Sequence, residues 1–151
     1  MKRDLGYLAD RIAGLRRAIP RATNEKKIEV ARTVHTELVW VTPVDTSQAL
    51  SNWVLTAGEE WAVFLVGGYR AGEYGSTQAA SANQAIMAAN QQLALSEVGM
   101  PLYITNNAPY IRPLNDGSSM QAPAGFVERA ALLGRKKADS GLRLKVNGNY
   151  V

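Results

Sequence analysis

The chain has 151 residues, of which 46% are hydrophobic and 20% charged, the length and composition of one globular domain. It contains no cysteine and one histidine, His35, which excludes disulfide bonds, thiol catalysis, iron–sulfur clusters and metal sites rich in cysteine or histidine. The net charge of +4 is uneven, with +4 in residues 1–40 (nine basic, five acidic), −4 in residues 41–120 (two, six) and +4 in residues 121–151 (six, two).

This distribution of charge leaves three interpretations open. Basic ends that flank an acidic middle are typical of contact with a polyanion, and equally of complementary faces that meet in an assembly. The third interpretation is that the basic helix faces are simply solvated. No stretch approaches the roughly 18 consecutive apolar residues of a membrane span, and charges interrupt the N-terminal region where a signal peptide needs an apolar core. We therefore expect a soluble protein, made and kept in the cytoplasm or in something assembled there.

Residues 1–41 are predicted to form a helical N-terminal part. Apolar residues recur there at spacings of three and four, which is typical of an amphipathic helix: Leu5, Leu8, Ile12, Leu15 and Ile19. Pro20 is expected to end or kink this helix. A second helix, capped by Thr23 and Asn24, would run to about Val41, because the Thr-Pro dipeptide that follows disfavours helix. The two helices would form a hairpin or one kinked rod.

The next segment is predicted to be a short helical turn followed by two strands. Residues 45–48, Asp-Thr-Ser-Gln, have the sequence of a small capping box that opens a single turn. Residues 52–56 are predicted to form a strand, and residues 61–66 a second strand after a turn at Glu59-Glu60. Because residues 61–66 are apolar on both faces, that strand would be central in a covered sheet or buried against a neighbouring subunit.

The glycine-rich segment 67–76 is predicted to be a projecting loop. Its glycines fit neither a phosphate-binding loop nor the dinucleotide-binding fingerprint, and it contains no lysine. It carries Tyr69 and Tyr74, and tyrosines on a flexible backbone are common contact residues. An interaction role is therefore expected for this loop.

The remainder of the chain is predicted to contain two helices and two extended segments. Residues 77–95 form an alanine- and glutamine-rich helix with a narrow stripe that permits close approach: Ala79, Ala82, Ile86, Ala89 and Leu93. Residues 102–105 form a strand, and residues 106–121 a long loop of turn residues. Pro123 lies in the first turn of the last helix, whose inward residues are Phe126, Val127, Ala130 and Leu133. Residues 139–151 form a C-terminal arm or edge strand.

No internal repeat or linker interrupts the sequence, so a single domain over residues 1–151 is expected. Its class is α+β, with long N-terminal helices and a C-terminal helix packed on a small, mainly antiparallel sheet. The three tryptophans border the strand region and are interpreted as core anchors rather than as a ligand cage: Trp40, Trp53 and Trp61.

The chain offers little for catalysis. His35 is the one side chain whose ordinary pKa lies near neutrality, but nothing places a nucleophile beside it, and a packed or surface histidine is the simpler interpretation. Glu59, Glu60 and Asp116 lie in predicted turns, where polar residues are favoured for conformational reasons. No catalytic, cofactor-binding or metal-binding residue is therefore predicted, and we expect neither an enzyme nor a bound cofactor.

Two groups of basic residues are candidates for contact with phosphates. One group lies on the N-terminal helices: Arg11, Arg16, Arg17, Arg21, Lys26 and Lys27. The other lies in the C-terminal region: Arg135, Lys136, Lys137, Arg143 and Lys145. Aromatic residues are not interleaved with either group, so base stacking or sequence readout is not expected. Nonspecific contact with duplex DNA stays open.

Two segments resemble a known family. Residues 42–53, TPVDTSQALSNW, are similar to the "TPVDTG…L…SW" block of the tail-completion or neck proteins of tailed phages. Residues 106–126, NNAPYIRPLNDGSSMQAPAGF, resemble the "NNxPYxxxLxxGxSxQAPxGF" block of the same family, which is grouped with minor tail protein Z and related head–tail joining components. The blocks cover 33 residues, and the order of elements is shared over most of the chain. Ser47 departs from the pattern, because glycine is usual there, and the basic residues that often follow are replaced by Gln48 and Ala49.

The resemblance implies a structural protein of the virion, assembled in the host cytoplasm, with no membrane partner. Copies would form a ring, sixfold or a multiple, at the neck or proximal tail end, completing the tail and joining it to the head. Partners would be neighbouring stopper, terminator or tail-tube proteins, with nonspecific contact to packaged DNA as an option. Candidate residues for the subunit or ring interface are Tyr69, Tyr74, Tyr110, Arg112 and Asp116. Candidates for charge contacts with DNA in the lumen or with another ring are Arg135, Lys136, Lys137, Arg143 and Lys145.

Two rival functions remain. The first is a small basic nucleic-acid-binding protein that acts free in the cytoplasm, which would bind DNA with a steep dependence on salt. The second is an enzyme that uses His35, for which the sequence offers no further residues.

Overall fold

The computed structural model describes residues 5–66, 78–146 and 148–150 and confirms the predicted α+β class. A long N-terminal helix and a C-terminal helix accompany two small antiparallel sheets of two strands each. The elements in chain order are α1 (Leu5–Val41), α2 (Gln48–Ser51), β1 (Val54–Ala57), α3 (Gln78–Ala94), β2 (Leu102–Thr105), α4 (Ile111–Asn115), α5 (Phe126–Asp139), β3 (Lys145–Val146) and β4 (Asn149–Tyr150). In the part of the chain that the structure describes, no helix is both long and apolar enough to cross a membrane.

The N-terminal part is one helix of 37 residues with Pro20 inside it, which confirms the predicted helical part from Leu5 to Val41 and shows that the hairpin alternative is wrong. A proline inside a helix removes one hydrogen bond and clashes with the preceding turn, at a cost of about 3 kcal/mol. The turns that follow offset this cost, because they bury Leu38 and Val39 in a core shared with α3 and α5. The expected caps lie inside the helix instead, where Thr23 Oγ1 donates to the Ile19 carbonyl oxygen (2.9 Å) and Asn24 Nδ2 to that of Ser96 (3.1 Å).

The main sheet pairs β1 with β2 in antiparallel register, from Val54 opposite Thr105 to Ala57 opposite Leu102. Helix α3 connects the two strands in sequence and packs on β1. The strand predicted for residues 102–105 is confirmed, and that for residues 52–56 is confirmed with a shift toward its C-terminal end.

The second strand predicted at residues 61–66 is wrong. These residues are all described, yet they contain no strand, and four of the six are exposed: Ala62, Val63, Phe64 and Val66. Side chains take the place of a neighbouring strand here. Asn52 donates through Nδ2 to the Leu65 carbonyl oxygen (2.9 Å) and accepts the Leu65 N–H through Oδ1 (2.9 Å), while Asn107 Nδ2 donates to the Trp61 carbonyl oxygen (2.9 Å).

The core lies between the second half of α1 and α2, α3 and α5. Its buried members include Leu38, Val39, Val44, Leu50, Trp53, Ala82, Ala85, Phe126 and Ala130. A smaller cluster joins α1 and α3 to β1 through Ala31, Leu55, Ala89 and Leu93. The small-residue stripe of α3 is therefore confirmed as a packing face, although Ala79 is exposed and Ala85 is buried in its place.

The tryptophans differ in role. Trp53 is buried, and its Nε1 donates to Thr42 Oγ1 (2.7 Å), which confirms it as a core anchor. Trp40 is 42% exposed, so the same prediction is wrong for this residue. Trp61 is half-buried, and its Nε1 donates to the carbonyl oxygen of Val63 (2.7 Å).

The C-terminal region contains a helix and a hairpin. Helix α5 begins at Phe126 after Gly125, whose φ of 74° is left-handed, so Pro123 precedes the helix rather than lying in its first turn. The predicted inward residues are correct, with Phe126 and Ala130 buried and Val127 and Leu133 half-buried. The predicted arm or edge strand is a two-stranded hairpin, in which Lys145 pairs with Tyr150 and Val146 with Asn149.

Candidate assembly surfaces

The two segments that resemble the phage family lie against each other. We call residues 42–53 and 106–126 together the two-block region. The Val44 N–H donates to Gln121 Oε1 (3.2 Å), and Asn106 Nδ2 donates to the Ala49 carbonyl oxygen (2.9 Å). Between them lies a hollow of about 370 Å³, lined by Pro43, Asp45, Thr46, Gln48, Ala49, Tyr110, Leu114, Ser119 and Gln121.

The first block turns through a strained residue. Ser47 precedes α2 with φ 62° and ψ 4°, a left-handed conformation that glycine adopts without cost. It is 1% exposed, its Oγ lies 3.0 Å from Ser81 Oγ, and its carbonyl oxygen accepts a hydrogen bond from Ser51 Oγ (2.6 Å). The predicted single turn is confirmed as α2, but its predicted capping box is wrong, because Asp45 is exposed and Ser47 occupies the position before the helix.

Asn115 ties the second block to the start of α5 through hydrogen bonds. The Asn115 carbonyl oxygen accepts the Gly125 N–H (2.7 Å), and its Oδ1 accepts the Val127 N–H (2.9 Å), which gives the first turn of α5 an acceptor. Its Nδ2 donates to both carboxylate oxygens of Glu128 (3.1 and 3.0 Å), and these bonds lower the pKa of Glu128. The segment predicted as a loop thus contains the short helix α4 and is tied to α5.

Three of the five predicted interface residues lie in the part of the chain that the structure describes. Tyr69 and Tyr74 lie outside the described residues. Tyr110 lines the hollow of the two-block region, and partial burial raises its pKa. Arg112 lies on α4 and Asp116 at its C-terminal end, and both are exposed.

The three basic residues near the end of α5 differ in their surroundings. Arg135 and Lys136 are exposed, whereas Lys137 Nζ lies 2.7 Å from Glu29 Oε1 and is held within the fold. Lys26 Nζ lies 2.7 Å from the other oxygen of Glu29. The hydrogen bonds from Lys137 and Lys26 lower the pKa of Glu29 from 4.5 to about 2. Of the three side chains predicted to make charge contacts with DNA or with another ring, Lys137 is therefore engaged within the chain, whereas Arg135 and Lys136 are exposed.

Arg143 and Lys145 lie beside the N-terminal helix. Together with Arg17 and Arg21 of α1 they line a groove of about 680 Å³, and Glu25 lines it as well. Lys145 Nζ lies 5.0 Å from the centre of the Tyr150 ring. The sequence prediction places Arg17 and Arg143 in separate groups. The signal that links them is the row of small residues at every fourth position of α1, which allows the hairpin to approach: Gly14, Ala18 and Ala22.

Two of the exposed apolar surfaces in the described part of the chain bear on association. The stripe predicted on the first half of α1 faces solvent: Leu5 is 82% exposed, and Leu8, Ile12 and Ile19 are about half exposed. The second surface is the segment 61–66, in which Val66 is 84% exposed, and it follows the exposed pair Glu59-Glu60. Apolar surfaces of this kind mark sites of association more often than singly scattered apolar residues do.

His35 is part of the core. It is 2% exposed, and its Nε2 lies 3.0 Å from the carbonyl oxygen of Trp53, while burial lowers its pKa. It thus links α1 to the residue that precedes β1, in agreement with the predicted packed histidine. Within residues 5–66, 78–146 and 148–150, no group of three or more histidine or acidic side chains is placed to hold a metal ion.

No family model, curated protein or solved structure matches the chain. The features of the chain that bear on its function are the two-block region, the exposed apolar surfaces and the basic groove.

Proposed function

We propose that the chain is a structural protein of a tailed-phage virion that forms a ring at the neck or proximal tail end, completing the tail and connecting it to the head. The proposal depends on one observation. Two blocks of sequence that resemble the tail-completion and neck proteins are separated by 52 intervening residues and pack directly on each other. Two unrelated chance similarities would have no reason to share one hollow of the fold.

Ser47 adds independent support for the proposal. Its left-handed φ costs a residue with a side chain about 1–2 kcal/mol relative to glycine. The family pattern has glycine at this position. The geometry of this chain therefore contains the turn for which that glycine would be needed. In the second block Gly125, a glycine of the family pattern, is left-handed as well.

The ring is proposed to form through the two exposed apolar surfaces. The stripe on α1 is flanked by Arg11 and Arg16, whereas segment 61–66 follows Glu59 and Glu60. These surfaces are complementary in both hydrophobicity and charge, and they lie on different parts of one chain. A contact between two different surfaces of identical subunits is head-to-tail, and such contacts close into rings when the rotation allows it. By family resemblance the ring would be sixfold or a multiple.

The two-block region, with Tyr110, Arg112 and Asp116, is proposed to face the neighbouring ring. Its stiff, hydrogen-bonded loops lose little conformational entropy when a partner binds. The partners would be the stopper, terminator or tail-tube proteins of the same particle. The role requires no catalysis and no cofactor.

Localisation in the particle tests this function. We expect mass spectrometry of purified tailed particles to detect the chain in a small, fixed copy number, and antibody labelling in the electron microscope to mark the junction of head and tail. Particles made without the chain should yield filled heads and separate tails. Absence of the chain from purified infectious particles would overturn the proposal.

The second candidate is a small basic nucleic-acid-binding protein acting free in the cytoplasm. The observation that favours it is the groove that Arg17, Arg21, Arg143 and Lys145 line. The particle experiment separates the two, because this candidate requires the chain in the cell lysate and not in the purified virion.

A further inference from the structure

A cationic groove runs between α1 and the C-terminal hairpin. Its lining includes four basic side chains from two parts of the sequence that are more than a hundred residues apart: Arg17, Arg21, Arg143 and Lys145. Glu25 is the one acidic residue in the lining. The groove therefore has a formal charge of +3, almost the net charge of the whole chain.

Packing of the hairpin on α1 holds these cations together. Val146 Cγ1 would lie 2.7 Å from a Cβ at Gly14, so the hairpin reaches this position only because residue 14 has no side chain. Gly14, Ala18 and Ala22 are buried along the same row of α1. The positions of the helix arginines relative to Arg143 and Lys145 thus follow from packing of the Val146 side chain on α1 at Gly14.

The four cations are not neutralised within the described chain. None of the ion pairs formed by residues 5–66, 78–146 and 148–150 includes them, in contrast to Lys26 and Lys137, which share Glu29. Like charges held on two sides of a groove repel each other, and a bound anion relieves that repulsion. Three of the four are arginines, whose planar guanidinium groups bind phosphate oxygens in pairs.

We propose that this groove binds the phosphate backbone of duplex DNA without reading its sequence. Duplex DNA carries one negative charge per about 1.7 Å of its axis, a higher density than an extended acidic peptide reaches at about 3.3 Å per residue. The acidic pair exposed on this chain, Glu59-Glu60, could neutralise only half of the groove's four cations. The one exposed aromatic residue in the lining, Tyr150, lies under Lys145 rather than in a series, which suits backbone contact and not base stacking.

This inference deepens the proposed virion role, on which it depends for its biological setting: the DNA would be the packaged genome near the head–tail junction. The binding itself is a property of the isolated chain. It can therefore be measured separately from the presence of the chain in particles.

The test measures the affinity of the full chain for a duplex of random sequence by fluorescence anisotropy, at salt concentrations between 50 and 200 mM. If all four cations contact phosphates, the affinity falls roughly 150-fold over this range, and the double variant R17Q/R143Q, with two contacts fewer, loses only about 12-fold. The matched control R32Q/R129Q removes the same charge from two exposed residues, on α1 and α5, that do not line the groove. It should keep the salt dependence of the unaltered chain. Circular dichroism establishes that the variants are folded.

Three results would overturn the inference: no DNA binding by the unaltered chain, equal salt dependence in R17Q/R143Q, or tighter binding of poly-glutamate than of DNA in the same buffer, which would assign the groove to an acidic protein. If the chain is found at the neck but fails this test, the proposed virion role stands and DNA binding by the groove is excluded. If the chain passes the test but is absent from particles, the virion role is excluded and DNA binding by the groove stands.

Discussion

Gly134 of α5 lies so close to α1 that any Cβ at this position would overlap Val34 Cγ2 and would also touch Val30. Helices α1 and α5 therefore approach each other at a point where one of them has no side chain. Arg129 and Lys137 pair with Glu37 and Glu29 of α1, so contacts on both sides of this point join the same two helices. Close approach at Gly134 sets the distance at which these ion pairs form.

Gly134→Ala should therefore destabilise the fold although alanine favours helix. Alanine gains about 1 kcal/mol of helix propensity, while overpacking in a buried contact costs typically 1–3 kcal/mol. We expect a net loss of about 1 kcal/mol in the free energy of unfolding, measured by urea denaturation. Val34→Ala should restore most of this loss in the double variant, because it removes the overlapping methyl group. If Gly134→Ala has the same effect on the unfolding free energy with and without the Val34→Ala change, overlap with Val34 is not the cause of the destabilisation.

Ser47 offers a comparison of two small substitutions. Both Ser47→Gly and Ser47→Ala remove the hydroxyl that lies 3.0 Å from Ser81 Oγ, but only glycine relieves the left-handed φ of 62°. We expect Ser47→Gly to be more stable than Ser47→Ala by about 1–2 kcal/mol. Thermal and urea unfolding of the two variants measure the difference. Equal stabilities would mean that position 47 carries no strain and would weaken the link to the family's glycine.

The sequence predicts those elements whose limits are set by local chemistry. Strand β2 is predicted correctly at both ends because Pro101 precedes it and Asn106 follows it. The continuity of α1 through Pro20 is not predictable in this way, because packing of Leu38 and Val39 some five turns later offsets the cost of the proline.

The surfaces depend even more on tertiary structure. The apolar run 61–66 has the composition of a buried strand, yet it is exposed in the fold, and the Asn52 side chain occupies the hydrogen-bonding groups of Leu65. The convergence of Arg17 with Arg143 requires the hairpin to dock at Gly14, a contact between residues more than a hundred positions apart. The contact between the two blocks likewise becomes visible only in the fold, where Val44 is bonded to Gln121 and Asn106 to Ala49.

Glu29 should make the stability of the fold depend on acid pH. Hydrogen bonds from Lys137 and Lys26 lower its folded-state pKa from 4.5 to about 2, so the folded state binds this proton less readily than the unfolded state. The stabilisation is therefore complete above pH 4.5 and is lost as the pH falls from 4.5 toward 2. We expect the difference in unfolding free energy between the unaltered chain and Glu29→Gln to shrink over this window, and to shrink also when salt is added at neutral pH.

The control for this experiment is Glu97→Gln, an exposed glutamate for which no ion pair is found among the described residues. Comparison with this variant over the same pH range separates the effect of the lysine pair from that of removing one exposed carboxylate. A flat curve for Glu29→Gln would show that the lysine pair does not hold the carboxylate in solution.

The apolar stripe on α1 should govern assembly and not folding. Leu8 and Ile12 are 52% and 50% exposed, so serine at both positions should change the unfolding free energy of the monomer by no more than about 0.5 kcal/mol each. We expect the unaltered chain to form oligomers as its concentration rises and the Leu8→Ser/Ile12→Ser variant to stay monomeric, as measured by sedimentation velocity. Leu132→Ser, which removes an equally exposed leucine from α5, is the matched control and should assemble normally.

Exchanging the charges of Arg16 and Glu60 tests which surface of the neighbouring copy the apolar stripe on α1 contacts. Arg16→Glu and Glu60→Arg should each weaken assembly, because each places like charges at the proposed contact between α1 of one copy and residues 59–66 of the next. The double variant restores opposite charges and should recover assembly to within a few-fold of the unaltered chain. Two outcomes would contradict this contact: normal assembly of each single variant, or defects that add in the double variant rather than cancel. Either result would mean that the stripe contacts another surface and that the ring does not form through segment 61–66. Because both residues are exposed in the monomer, circular dichroism and thermal unfolding of the single variants should match the unaltered chain, so that a loss of assembly reports on the contact alone.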